Sequence, residues 1–287
     1  MKSLHDDFGV EIEGIDLRDA ATHYTWIRRA FEEHSVLLFR GQCLDDEAHL
    51  ALGRLFGVIE IRERNPQEHE ARMSMVSNRW EGGHVLSEES PRLLHLKANQ
   101  LWHTDSTFLP APALANILAA RKLPTSGGET EFVSTRAAWR DLPGSTRTRL
   151  RRLVLRHRYA HSRMTVSPAA AALDVVTMWP ETAWRAVWPN PVNGAEALYI
   201  ASHAFGVVGM GEREGRELIE ELIAFTTRPA RIYSHRWSPG DVIIWDERAT
   251  MHRGRPWPYG EERTLASICI TAGEADGLGW VRPAPAG

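Results

Sequence analysis

The chain has 287 residues, enough for one large domain or two small ones. With 43% hydrophobic and 25% charged residues it reads as a soluble globular protein that can bury a sizeable core. The net charge of -3 carries no basic footprint, so nucleic acid is not an expected partner. No stretch approaches the roughly 18 apolar residues that a bilayer span requires, and the opening MKSLHDDFGVEIEG holds no apolar signal core. Cys43 and Cys269 lie far apart and form neither a disulfide framework nor a C-x-x-C pattern, which suits a reducing cytoplasm. Eleven tryptophans read as core and edge packing or as the aromatic walls of a pocket.

Along the chain, residues 23–34 place Ile27, Ala30 and Phe31 on one helical face. SVLLFRG (35–41) predicts a buried strand. LDDEAHLALGRLFG (44–57) predicts a helix with an acidic first turn and Gly57 at its end. The N-terminal portion, 1–60, is therefore α/β. Residues 60–92 hold no sustained period and read as a long excursion with one short strand, MSMVSN. Such an excursion is either an active-site lid or a plain surface insertion. From 93 onward strands dominate: LHLKANQLWHTD, LANILAAR, EFVS, ALYIASHAF, ARIYSHRW, DVIIWDER and RTLASICIT. Turns are expected at SGG (126–128), NG (193–194) and SPGD (238–241). Two helical stretches interrupt, 135–155, broken near Pro143-Gly144, and 211–227, with Leu218, Leu222 and Ile223 on one face. Many short strands with few helices predict a mainly β sandwich or barrel with flanking helices. Neither the βα alternation nor the Gly-rich first turn of a Rossmann sheet is present.

On a strand, His103 and Asp105 of QLWHTDSTF point to the same face while Thr104 points away. They are either two ligands of one metal or two polar residues on a wet strand. His252, after the strong strand DVIIWDE, is the best third donor. Two His and one carboxylate on one face of an octahedral ion form the facial triad typical of non-haem Fe(II). A zinc hydrolase built on three histidines would look different, and no H-E-x-x-H occurs. Arg263 shares a strand face with Leu265, Ser267 and Cys269, so it points into something partly buried. Its partner is then either a ligand carboxylate or an internal Asp or Glu.

The segments GVEIEGIDLRD, EEHSVLLFRGQ, KANQLWHTDSTF, PTSGGETEF and HRWSPGDVIIWDERATMHRGRPW, with Arg263, span roughly residues 9–270. In that order they resemble the TauD/TfdA family of Fe(II)- and 2-oxoglutarate-dependent dioxygenases, and its aryloxyalkanoate branch more than its taurine branch. The resemblance implies a single dioxygenase domain over 1–287, with a double-stranded β-helix (jelly-roll, cupin-like) core mostly in 93–275. It implies Fe(II), 2-oxoglutarate and O2, with release of succinate and CO2 as a C–H bond of a small molecule is hydroxylated or desaturated. It implies that His103, Asp105 and His252 bind iron and that Thr130 and Arg263 hold the distal carboxylate of 2-oxoglutarate. The two glycines before Thr130 let the chain turn tightly toward that ligand. Asn99, on the His103 face of the expected strand, falls near co-substrate and substrate in the family. His203 matches a substrate-side position. Asp105 argues against a halogenase, which carries Ala or Gly there. Members of the family are often dimers or tetramers.

Two positions depart from the pattern. Family members acting on carboxylates or sulfonates place an arginine four residues after the 2-oxoglutarate arginine, and here that position is Ser267. Either the substrate is neutral, or another cation such as Arg79 or Lys97 holds its anion. Glu247 replaces the usual Asn of the WDNR-like motif, with a change at the surface or behind the ligands expected and no loss of activity. Two substrate classes follow, catabolic cleavage of an aryloxyalkanoate or sulfonate and tailoring of a natural product. A cupin-like binding protein with a degenerate metal site is the alternative of a different class.

Overall fold

The computed structural model describes residues 1–61, 73–80 and 83–284. The largest sheet has seven strands, in the order Lys2–Ser3, Val10–Ile12, Val36–Phe39, Val242–Asp246, Ala113–Lys122, Thr264–Thr271 and Ser74–Ser77. All pairs are antiparallel except Val10–Ile12 with Val36–Phe39. A three-stranded sheet holds Thr130–Ser134 between Tyr233–His235 and Thr250–Gly254.

Alternation along the central strands sorts the core into layers. Leu37, Phe39, Ile117, Ile244, Ile268 and Ile270 pack outward against the helices Ala20–His34 and Asp46–Phe56. Leu38, Leu118, Ile243, Trp245 and Leu265 turn the other way and meet Phe132 of the three-stranded sheet. The outer face of that sheet, Val133 and Met251, lies under Trp139, Leu155, Ile219 and Leu222. The order is thus helices, large sheet, small sheet, and a second cover of helices and short strands.

Local signals explain the two N-terminal helices. Ile27, Ala30 and Phe31 form the buried stripe of Ala20–His34, which ends where Ser35 turns left-handed (φ 64°) and donates to Phe31 O. Asp45 caps Asp46–Phe56 by accepting from Ala48 N, and Asp46 and Glu47 lie in the first turn, where the helix dipole favours them.

The mainly sheet architecture with helices agrees with the sequence reading, and four local readings are corrected. Residues 91–100 form no strand: Pro91–Lys97 is an α-helix and Ala98–Gln100 a 3-10 turn. Ser90 and Pro91 supply a helix start there, and a short apolar run cannot be assigned by periodicity alone. The next residues make one bridge, His103 to His252, and then turn at Asp105–Phe108, with Ser106 at φ 58°. ALYIASHAF is two strands, Glu196–Leu198 and Ala204–Val207, with His203 in the turn between them. The first two residues of ARIYSHRW belong to a 3-10 turn, Pro229–Arg231, and only Tyr233–His235 is strand. Three further short helices, Tyr159–Val166, Pro168–Ala171 and Asp174–Thr177, arise where no helix was expected. Helices 135–141 and 144–150 break at Pro143-Gly144 as the sequence predicts, and 212–226 is a single helix. Within the expected excursion of 60–92, Ser74–Ser77 is a strand at the edge of the large sheet, and residues 62–72 lie outside the described residues.

Candidate metal centre

Backbone contacts bring the donors together. His103 N donates to His252 O (3.0 Å) and His252 N to His103 O (2.8 Å). Ser202 N donates to Trp102 O (3.0 Å), and the Thr104 hydroxyl lies within hydrogen-bonding distance of Ile200 O and Thr250 O. One side-chain ligand atom each from His103, Asp105 and His252 lie within 4.8 Å of one another, and no other His, Cys, Asp or Glu set of three or more could hold a metal among the described residues. His103 Nε2 is 3.6 Å from Asp105 Oδ1, and His252 Nε2 is 4.0 Å from Asp105 Oδ2.

The chemistry of this set suits a divalent cation. His103 Nδ1 donates to Leu101 O (2.7 Å), which fixes the tautomer and turns the Nε2 lone pair toward Asp105. Burial, with His103 alongside, pushes the His252 imidazole down to about 3, so it stays neutral and keeps a nitrogen lone pair free. Behind the pair lies Glu247, fully buried. It accepts from Asp105 N (2.9 Å) and Trp245 Nε1 (2.6 Å), and its Oε2 is 4.0 Å from His252 Nδ1. Burial, and then the charge of Asp105, hold its carboxyl well above the usual range. The departure at Glu247 is therefore not a surface change; it backs the ligands directly.

The donors line a cavity of about 890 Å³ that also takes in Asn99, Thr130, His203, Arg263 and Ser267. Arg263 is 5% exposed. Its Nε and Nη2 both donate to Gly128 O (3.1 and 2.8 Å), its backbone N–H donates to Asn78 Oδ1, and among the described residues it forms no ion pair. The internal salt bridge that the sequence left open is thus not formed there. Burial pulls its pKa down to about 10, opposed by Glu129. A buried guanidinium at a cavity wall, without an ion-pair partner among the described residues, has the chemistry to pair with a carboxylate. Gly127 and Gly128 have φ of 71° each, and a Cβ at Gly128 would lie 2.7 Å from Arg263 Nε. Thr130 opens its strand, and its hydroxyl accepts from Trp237 Nε1 (3.0 Å).

A sequence profile described as "Taurine catabolism dioxygenase TauD, TfdA family" matches residues 1–269. The chain belongs to this family. Among its relatives is the alpha-ketoglutarate-dependent 2,4-dichlorophenoxyacetate dioxygenase of Cupriavidus pinatubonensis, 35% identical over 269 residues, with 91% of this chain and 94% of that one covered. The (S)-phenoxypropionate/alpha-ketoglutarate-dioxygenase of Sphingobium herbicidovorans is 31% identical, with 91% of each covered. The solved structure of AAD-2 in complex with Mn(II) and N-oxalylglycine superposes with a TM-score of 0.87 at 30% identity, covering 96% of this chain and 97% of that one. This TauD/TfdA-family protein is an Fe(II)- and 2-oxoglutarate-dependent dioxygenase.

Other expected site residues are placed as follows. Asn99 lines the cavity, from the 3-10 turn and not from a strand face shared with His103, and its Oδ1 accepts from Arg163 Nη2 (3.2 Å). His203 is buried, shares a hydrogen bond with Ser162 Oγ through Nδ1 (2.9 Å), and sits edge-on to His103 with centroids 6.2 Å apart. Burial, then Arg163, push its pKa well down. Arg79 lines the cavity and pairs with Glu262 (3.5 Å). Lys97 does not line it; its ammonium pairs with Glu88 and lies over Tyr259. Ser267 reaches the cavity as expected, and its hydroxyl donates to Asn116 Oδ1 (2.9 Å).

Sequence reasoning missed Arg163 and Tyr159. Both come from the unforeseen helix Tyr159–Val166, and the Arg163 guanidinium stacks 4.0 Å over the Tyr159 ring. The one signal was the arginine in YAHSRM, which nothing in the local pattern separates from a surface charge. No helix among the described residues is long and apolar enough to cross a membrane.

Proposed function

We propose that His103, Asp105 and His252 hold the Fe(II), that Arg263 and Thr130 receive the distal carboxylate of 2-oxoglutarate, and that the substrate fills the remaining cavity beside His203. The observation that carries this reading is one cavity lined by two histidines, a carboxylate and a buried arginine. The iron with its co-substrate and O2 supplies the oxidising power that breaks a C–H bond and releases succinate and CO2. The protein's own part is positioning and exclusion of water. Arg263, fixed by Gly128 O, orients the incoming dicarboxylate, and Phe108, Tyr159 and Trp257 wall the cavity against solvent. The two facing sheets support a double-stranded β-helix core, and we read 1–287 as one dioxygenase domain with part of 60–92 closing over the cavity mouth.

The substrate reading that fits best is a small anion with an apolar or aromatic body, of the aryloxyalkanoate type. Hydroxylation beside an ether oxygen leaves a hemiacetal that collapses to a phenol and a 2-oxo acid, the hydroxyl proton passing to the phenolic oxygen as the C–O bond breaks. Ser267 does not decide against an anion, because Arg79, Arg92 and Arg163 also line the cavity. Trp80, with Arg92 3.5 Å over its ring, and Phe108, stacked on Tyr159 at 3.8 Å, offer flat surfaces to an aromatic body. The test is succinate formation with Fe(II), ascorbate and 2-oxoglutarate across anionic and neutral compounds. Aryloxyalkanoates should stimulate it and release the phenol. Stimulation by neutral compounds alone would overturn the substrate class, and no stimulation with loss of metal binding would overturn the site.

A further inference from the structure

Asn116 lies in the middle of the Ala113–Lys122 strand, where its neighbours Ala115 and Ile117 turn into the apolar core. A buried amide at such a place needs partners for both ends. Its Nδ2 donates to Asp105 Oδ2 (2.7 Å), and its Oδ1 accepts from Ser267 Oγ (2.9 Å). Asn116 and Ser267 are 4% and 5% exposed, so water competes little for these bonds. The register explains the reach. Asn116 faces Cys269 across the ladder and Ser267 stands diagonally, two residues along the same face. Cys269 Sγ adds a weak contact to Asp105 Oδ2 at 3.7 Å.

We infer that Ser267 and Asn116 act as one positioning unit for the metal carboxylate. The Asp105 carboxylate, which only accepts, calls for the amide nitrogen, and the Ser267 hydroxyl, by donating to the amide oxygen on the other side, holds the Asn116 amide in that orientation. The amide nitrogen is thereby aimed at Asp105 and ties one carboxylate oxygen, so Asp105 meets a metal in a single orientation. Ser267 thus occupies a position expected to grip substrate and serves the metal side. This inference rests on the metal reading of His103, Asp105 and His252 and assigns two residues that reading leaves aside.

The test is Mn(II) titration of the whole protein, following loss of the free-ion EPR signal. Asn116→Leu should weaken binding about 10- to 100-fold, the usual effect of removing a partner of a metal ligand. Ser267→Ala should weaken it in the same direction, and Ser267→Thr, which keeps the hydroxyl, should restore it. The double variant Asn116→Leu/Ser267→Ala should bind no worse than Asn116→Leu alone, with the bound-ion line shape altered alike in both. Multiplicative effects would overturn the unit, as would native affinity in a folded Asn116→Leu protein. Should Asn116→Leu fail to fold, the Ser267 pair decides: equal affinity of the Ala and Thr variants sinks the inference. Asp105→Ala separates the two levels. If native protein binds Mn(II) and Asp105→Ala does not, an indifferent Asn116→Leu refutes only this inference. If native protein takes up no Mn(II), the metal reading fails and this inference falls with it.

Discussion

The rings of His103 and His252 lie 4.2 Å apart, centroid to centroid, because the two backbones exchange hydrogen bonds in both directions. Residues distant in sequence are locked as neighbours before any metal arrives. Replacing either by alanine should therefore remove a ligand without moving the other. His103→Ala and His252→Ala should each lower metal affinity and turnover by more than about 100-fold, beyond the effect of losing an outlying partner. Circular dichroism and Mn(II) titration check this. Full activity in either variant would refute the assignment.

Arg263 is held by Gly128 O and should tolerate no substitute in its role. A lysine keeps the charge and loses the planar fork. Truncating a buried charge partner costs about 2 kcal/mol or more, so Arg263→Ala should raise the KM for 2-oxoglutarate by ~30-fold or more. Arg263→Lys should fall between, and the KM for the primary substrate should move less. Steady-state succinate assays at saturating primary substrate measure it.

Gly128 should affect the co-substrate without touching it. A methyl group there meets Arg263 Nε at 2.7 Å and forces a left-handed residue without glycine's freedom. Gly128→Ala should cost about 1–2 kcal/mol of stability and raise the KM for 2-oxoglutarate. Urea unfolding and the same kinetic assay report the two effects separately. An unchanged KM would remove Gly128 from the Arg263 setting.

Stability should depend on pH through buried histidines that do not line the cavity. Burial pushes His157 down to about 3, and burial with Arg121 nearby pushes His49 down to about 4, from an ordinary 6.5. Their folded values are depressed, so the unfolded chain binds the extra protons. Stability is fully present above pH 6.5 and is lost as the pH falls toward 4 and then 3, at about 1.4 kcal/mol per pH unit for each histidine. Urea titrations of metal-free protein between pH 8 and 4.5 test the slope, and His157→Gln should lower it by one histidine's share. A flat profile would contradict both shifts.

The sequence made the metal side legible because its residues sit on, or beside, elements with strong local signals. Arg263 lies at the start of an alternating strand, His252 follows an apolar one, and the glycines before Thr130 mark their own turn. The substrate side was opaque for the converse reason. LHLKANQ carries enough apolar residues for a strand, yet Ser90-Pro91 starts a helix and Leu93 alone is fully buried in it. The helix that bears Tyr159 and Arg163 has a weak apolar stripe and is held by tertiary contacts with the segments around it. Asn116 stands on a correctly read strand, but its task depends on Ser267, 151 residues away, and Asp105, 11 away. Pair relationships of that length leave no local trace.

The cavity has two walls of different construction. Asn116, Thr130 and Ser267 come from strands fixed by ladders on both sides, and His252 from an edge strand fixed by one ladder and its bridge to His103. His95, Tyr159 and Arg163 come from short helices that no ladder restrains. Substitutions in the helical wall can therefore accumulate without retuning the ladder-held wall. Exchanging 159–176 for the matching stretch of a relative is then a route to transplanting its substrate preference onto an unaltered redox centre.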